Sequence, residues 1–186
     1  MKFTSVITPA VLAACAMALP TSQKRDGSTG PFGVLALRSG SPIHLQSVNA
    51  AGQRFWIGVP TATYCPSEIY ELTCTKDVEV PGGQQVYVDP SGALAFTQAH
   101  SANIPAGAAL GPFTFTPGTQ FGAYSTSAFG ATGFMACPDD AANPSKWQGF
   151  AAFSTATVPT GNVGDCLGFD AAAPAFTGDI PAWQYI

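Results

Sequence analysis

Apolar and polar positions alternate with a period of two in several short runs of this chain, and Gly, Pro, Asn and Asp fill the gaps. The plainest run is 80–108, VPGGQQVYVDPSGALAFTQAHSANIPAGA. Gln84–Val88 and Ala93–Thr97 form the two arms of a predicted hairpin around Asp89-Pro90-Ser91-Gly92. That tetrapeptide suits a type I turn. Asp at the first position hydrogen-bonds back into the turn, Pro sets φ at about −65° at the second, and Gly accepts positive φ at the fourth. A second hairpin is predicted from Phe32–Leu37 through Arg38–Pro42 to Ile43–Ser47. Its outgoing arm places Ile43 and Leu45 on one face and His44 and Gln46 on the other, which makes His44 a surface residue.

Asn49–Gly52 is predicted to turn the chain into a strand at Arg54–Val59 that Pro60 ends. The segment YCPSEIYELTC, 64–74, holds room for one helical turn after Pro66. Further strands are predicted at Pro112–Thr116, Gly133–Cys137, Gly149–Phe153 and Cys166–Asp170, with a last edge strand at Trp183–Ile186. No long helical period appears. Roughly ten strands with turn signals at short intervals predict an all-β fold, a single compact antiparallel β-sandwich or barrel. A β-trefoil is the alternative, because Gly33–Leu37 echoes Gly92–Phe96, although no third copy supports it.

Composition agrees with that pattern. The 186 residues suffice for one domain, and 46% hydrophobic against 10% charged residues excludes a charge-rich disordered chain. The 20 Gly, 16 Pro and 13 Phe favour short strands and turns. At the N-terminus Lys2 precedes an apolar run from Val6 to Met17, and Ala16 and Ala18 make the small-residue pattern of a signal-peptidase site. The run is too short to span a membrane. Residues 1–18 are therefore expected to be a signal peptide, 19–25 a propeptide ending in the dibasic Lys24-Arg25, and 26–186 the single all-β domain.

Without residues 1–25 the chain keeps four basic residues, Arg38, Arg54, Lys76 and Lys146, against eleven acidic ones, a formal charge of −7. Those four are scattered, so a nucleic-acid partner is not expected. No apolar stretch or C-terminal tail suits a membrane anchor. A secreted, extracellular or cell-wall protein is the reading.

Cys15 leaves with the signal peptide, and Cys65, Cys74, Cys137 and Cys166 remain, an even number in an oxidising compartment. Three pairings exist. The sequence-local one, Cys65 with Cys74 and Cys137 with Cys166, is preferred because each pair encloses a Pro- or Gly-rich loop. Chain entropy assigns such loops roughly 3 and 3.5 kcal/mol. No thiol sits in a C-x-x-C pair and both histidines are distant in sequence, so neither a metal nor another cofactor is expected. N-glycosylation is excluded at Asn143 by Pro144, and Asn49, Asn103 and Asn162 lack Ser or Thr two residues on.

Four strings, VPGGQQVYVDPSGALAFTQAHSA, GFMACP at 133–138, PTGNVGDCLGF at 159–169 and FGVLALRSGSPIH at 32–44, resemble one family of secreted fungal proteins. These are the IgE-binding proteins, which are similar to the cell-wall protein PhiA needed for phialide and conidium development. The resemblance covers Phe32 to the C-terminus. It implies a non-enzymatic secreted or wall-associated protein with a structural or surface-binding role, linked to conidium development. IgE recognition describes an immune response to such a protein, and the family brings no catalytic residues with it.

Three candidate chemistries can be read from the residues. His100-Ser101 with Asp89 supplies the types of a nucleophilic triad but not a known spacing, and the plain reading is turn and loop. Asp139-Asp140, or Glu68 with Glu71, supplies the paired acids of a secreted hydrolase of polysaccharide or ester, though acids in a Pro/Asn loop usually cap it. Carbohydrate binding is the more substantial alternative: Tyr64, Tyr70, Trp147, Trp183 and Tyr185 offer stacking faces, and wall polysaccharide is the partner they suit. The ligand-binding candidates are His100, Ser101, Asn103 and Trp147, since Gln98–Asn103 is polar without a turn to explain it. The mature N-terminus is expected at Asp26. N-terminal sequencing of the secreted protein reads this directly, and an intact Met1 would contradict it.

Overall fold

The computed structural model describes residues 31–64, 83–175 and 184–186. The predicted leader, Cys65, Cys74, Glu68, Glu71, Tyr70 and Trp183 lie outside them. Short runs, rich in Ala, Val and aromatic residues, make twelve strands among the described residues. They are β1 (Leu35–Leu37), β2 (Asn49–Ala51), β3 (Arg54–Ile57), β4 (Thr63–Tyr64), β5 (Val86–Val88), β6 (Leu94–Phe96), β7 (Phe113–Thr116), β8 (Gly122–Thr126), β9 (Phe134–Pro138), β10 (Trp147–Ala151), β11 (Leu167–Ala173) and β12 (Gln184–Tyr185).

Ten of these form one antiparallel sheet in the order β5-β6-β3-β10-β9-β11-β8-β7, with β2 added on β3 and β1 on β11, while β12 pairs with β4. The sheet curls into a half-barrel. Its two edges are brought together by the chain itself. Val88 of edge strand β5 exchanges backbone hydrogen bonds of 2.8 Å in both directions with Ala109, a few residues before edge strand β7. The all-β expectation holds, in the form of one curled sheet rather than two stacked ones. No threefold unit of a trefoil is present among the described residues.

Alternation along the strands gives the sheet two buried faces. Ile57, Leu94, Phe134, Ala136, Ala151, Phe169 and Ala171 point to the first core, inside the curl. Ala93, Met135, Cys137 and Phe150 point the other way, where Ala156, Val158 and the partly buried Phe153 and Val163 cover them. The segment between β10 and β11 thus folds back over the sheet. The disulfide Cys137–Cys166 staples it there, closing a sequence separation of 29 residues. That is the predicted pairing, and on the chain-entropy model it stabilises by roughly 3.5 kcal/mol.

The hairpin at 84–97 forms as expected, with Val86, Tyr87 and Val88 opposite Phe96, Ala95 and Leu94. Gly92 N–H donates to Asp89 O at 2.9 Å and closes the turn. The Asp89 carboxylate does more than the turn pattern implies. Its Oδ1 accepts from Ser91 N at 2.8 Å, Ala93 N at 3.1 Å and Ser91 Oγ, and its Oδ2 meets Arg54 Nη2 of β3 at 2.9 Å. The turn so fixed offers Ser91 O to Thr157 N at 2.8 Å and Gly92 O to Ala151 N at 2.9 Å. Gly92, at φ +96°, has no room for a side chain, since a Cβ there would lie 2.7 Å from Phe153 Cζ.

Three local expectations are corrected. Residues 41–45 form turns rather than a strand: Ile43 is fully buried, but Leu45 takes a left-handed φ of 59° and is 58% exposed instead of sharing its face. His44 keeps a partly exposed surface position, as expected, its Nδ1 accepting from Arg38 N at 3.2 Å. Asn49–Ala51 is a strand, and the turn falls at Gly52-Gln53, whose φ values of 60° and 59° match the type I′ geometry that follows strand twist. The strand expected at Gly149–Phe153 begins instead at Trp147, and β8 has no counterpart among the predicted strands.

Replacing Asp89 by Ala removes the acceptor of three donors and leaves Arg54 without its partner. Because Arg54 is partly in reach of water, the expected loss is about 2–4 kcal/mol in denaturant unfolding. The loss should be strongly non-additive with Arg54→Ala. Additive single losses would contradict the coupling.

Candidate functional site

The candidate residues of the polar loop do not assemble with the aromatic one. Ser101 N donates to Gln98 O at 3.2 Å, and Ser101 Oγ accepts from Asn103 N at 3.2 Å, so the loop after β6 is a local turn. His100 is exposed there with φ at 58°. Trp147 is half-buried against the first core. Phe96 N bonds Gln53 O before the start of β3, whereas Trp147 pairs with Ile57 at its end. At roughly 3.3 Å of rise per residue this sets Phe96, where the chain leaves β6 for the loop, and Trp147 about 13 Å apart along the sheet.

The predicted acid pair is a loop cap. Asp139 accepts from Ser145 Oγ at 2.6 Å, Ser145 N at 2.9 Å and Lys146 N at 3.2 Å, while Asp140 Oδ1 accepts from Ala142 N at 2.7 Å. These bonds tie the β9–β10 connection. Asp89, the triad candidate, is engaged as described above. Of the stacking candidates, Tyr64 is exposed on β4, and Tyr185 is half-buried with its ring edge-on to Phe96 at 6.2 Å.

A better candidate lies where β11 changes partners. Leu167–Phe169 pair with β9, and Asp170–Ala172 pair with β1. Between the start of β9 and the end of β1 the sheet parts into a cleft of about 520 Å³. Arg38, Ser39, Thr132 and Asp170 bring its polar groups, and Phe134 and Phe169 line it from the core side. Arg38 is held in place, its Nη1 donating to Gly168 O at 2.6 Å. The exposed residues of this cleft therefore carry a guanidinium, a carboxylate and two hydroxyls, above the buried Phe134 and Phe169. Sequence reasoning misses Arg38 and Asp170 as site residues. The available signal is a charge at a strand end and another within a strand of an otherwise charge-poor chain. Among the described residues no group of three or more His, Cys, Asp or Glu is placed to hold a metal ion.

A family model described as PhiA-like secreted protein matches residues 32–186. The chain belongs to the PhiA-like secreted protein family. An uncharacterized secreted protein of Arthroderma benhamiae is 43% identical to it over 152 residues, covering 74% of this chain and 76% of that protein. No solved structure matches the chain. Membership places this PhiA-like chain among secreted proteins, and no helix among the described residues is long and apolar enough to cross a membrane.

The Asp139 cap has a pH signature. The Ser145 hydroxyl first, and then the Lys146 and Ser145 amides, stabilise the carboxylate and lower its pKa to about 2. A lowered pKa means that the cap contributes fully above the ordinary carboxylate value, about 3.9, and fades as pH falls toward 2. An NMR titration should put the Asp139 midpoint near 2 and move it upward in Ser145→Ala. A wild-type midpoint at the ordinary value would contradict the cap.

Proposed function

We propose that this protein is a non-enzymatic, wall-associated binding protein that holds cell-wall polysaccharide through the cleft at the β1–β9 parting. The observation that carries this reading is that Arg38, held on Gly168 O, and Asp170 line one cleft whose core side is formed by Phe134 and Phe169. A sugar ring presents hydroxyls that donate and accept around an apolar C–H face. A fixed guanidinium, a carboxylate and the Ser39 and Thr132 hydroxyls answer the first, and the buried Phe134 and Phe169 give the cleft an apolar base for the second.

Hydrolysis of a glycosidic bond uses two carboxylates facing each other across the substrate. Among the described residues the cleft is lined by one, Asp170. Asp139 and Asp89 are committed to their loops. This favours retention over turnover. The PhiA-like membership supports a place at the surface of spore-forming cells.

Binding to insoluble wall β-glucan and chitin tests the proposal. Wild-type protein should be retained by at least one of them, and Asp170→Ala and Arg38→Ala should each lower retention about tenfold or more, as loss of a hydrogen bond to a charged group predicts. No retention of the wild type on either polymer, or full retention by both variants, would overturn the cleft as the site.

A further inference from the structure

Inside the curl lies a second space, separate from the polar cleft. Its volume is about 240 Å³, and Phe55, Leu94, Phe113, Tyr124, Phe134 and Phe169 are among the residues around it. It is partly open to solvent: Leu94, Phe134 and Phe169 at its base are buried, and Val86, Phe113 and Tyr124 are half-buried. Val86 of edge strand β5 and Phe113 of edge strand β7 both line it, so residues from both edges of the curled sheet reach it.

Protein interiors are packed to crystal-like density and seldom leave voids larger than a water molecule. Water is a poor occupant here. An ordered water needs two to four polar partners, and among the described residues Tyr124 is the one lining residue whose side chain carries a polar atom. A charged occupant fares worse, since no described lining residue carries a charge to compensate it. Apolar cavities of about 150 Å³ accept benzene in another protein. The space here is larger and is walled by rings that already stack on one another. Phe113 lies against Tyr124 at 5.9 Å, Tyr124 against Phe134 at 5.6 Å, and Phe134 against Phe169 at 6.0 Å between centroids. Such a wall meets a flat apolar molecule face to face or edge to face.

We infer that this cavity is a binding site for a neutral, compact apolar molecule of one or two rings. The site is independent of the polysaccharide reading. Phe134 and Phe169 form the partition between cavity and cleft, but Arg38 and Asp170 line only the cleft.

Naphthalene is a suitable probe. Titrated into the secreted wild-type protein, it should bind saturably at one site below its solubility limit, raise the melting temperature, and shift the ring-proton resonances of Phe113 and Phe169. Val48→Phe and Val86→Phe each place a ring into the space. Where near-UV circular dichroism shows them folded, they should bind naphthalene at least about tenfold more weakly. Asp170→Ala, altered only in the cleft, should bind it as the wild type does. Absence of saturable binding, or saturation with the Phe113 and Phe169 resonances unmoved, would overturn the assignment without reference to any variant. Wild-type affinity in both folded filled variants would do the same, and loss of binding in Asp170→Ala would overturn the separation of the two sites.

Discussion

The carboxylate of Asp89 is the point at which the parts of this fold are tied together. It fixes the β5–β6 turn through Ser91 and Ala93 and reaches across to Arg54 on β3. A turn held in that one shape presents its carbonyls outward. Through them Ser91 secures Thr157, and Gly92 secures Ala151. One buried acid thus connects the edge hairpin, a central strand and the segment that covers the second core. The chain has few charges, so the pair costs desolvation that the three additional donors help to offset.

Strands that change partners along their length follow from the same construction. Arg54 of β3 pairs with Ala95 of β6, while Trp56 and Ile57 pair with β10. β11 passes in the same way from β9 to β1. At the first change β6 and β10 close on each other, with Ala93 bridging Phe150 and Gly149 packed against Leu94 and Phe55. At the second the space is left open, and the polar cleft occupies it. The curl that brings β5 and β7 together leaves the apolar cavity within. Polar and apolar spaces therefore arise from one sheet and share only the Phe134–Phe169 partition.

Features that depend on neighbours along the chain are legible in the amino-acid sequence. The DPSG turn, the alternation of PFTFT and the Cys137–Cys166 loop each carry their signal within a few residues or within a compartment argument. Where local pattern misleads, backbone conformation is the cause. Leu45 looks like the apolar partner of Ile43, but a left-handed residue turns its side chain out of any strand alternation. GAYST of β8 mixes small and polar residues because one side packs on the core while Ala123 and Ser125 face solvent, and its signal is faint. The sites are the least legible. Arg38 meets Gly168 across 130 residues, and Asp89 meets Arg54 through register that no local pattern encodes. The polar loop at His100 draws notice because its sequence lacks an evident turn motif, and the reason for its polarity is a turn closed by its own backbone and Ser101.

Native-state hydrogen exchange of the amides of Ala93, Ala151 and Thr157 tests the organising role of the Asp89 turn most directly. These donate to Asp89 Oδ1, Gly92 O and Ser91 O, respectively. All three should exchange only with global unfolding, at one common free energy, and should lose protection together in Asp89→Asn. Thr157 or Ala151 exchanging through a local opening while Ala93 remains protected would show that the turn does not hold the covering segment and the sheet as one unit.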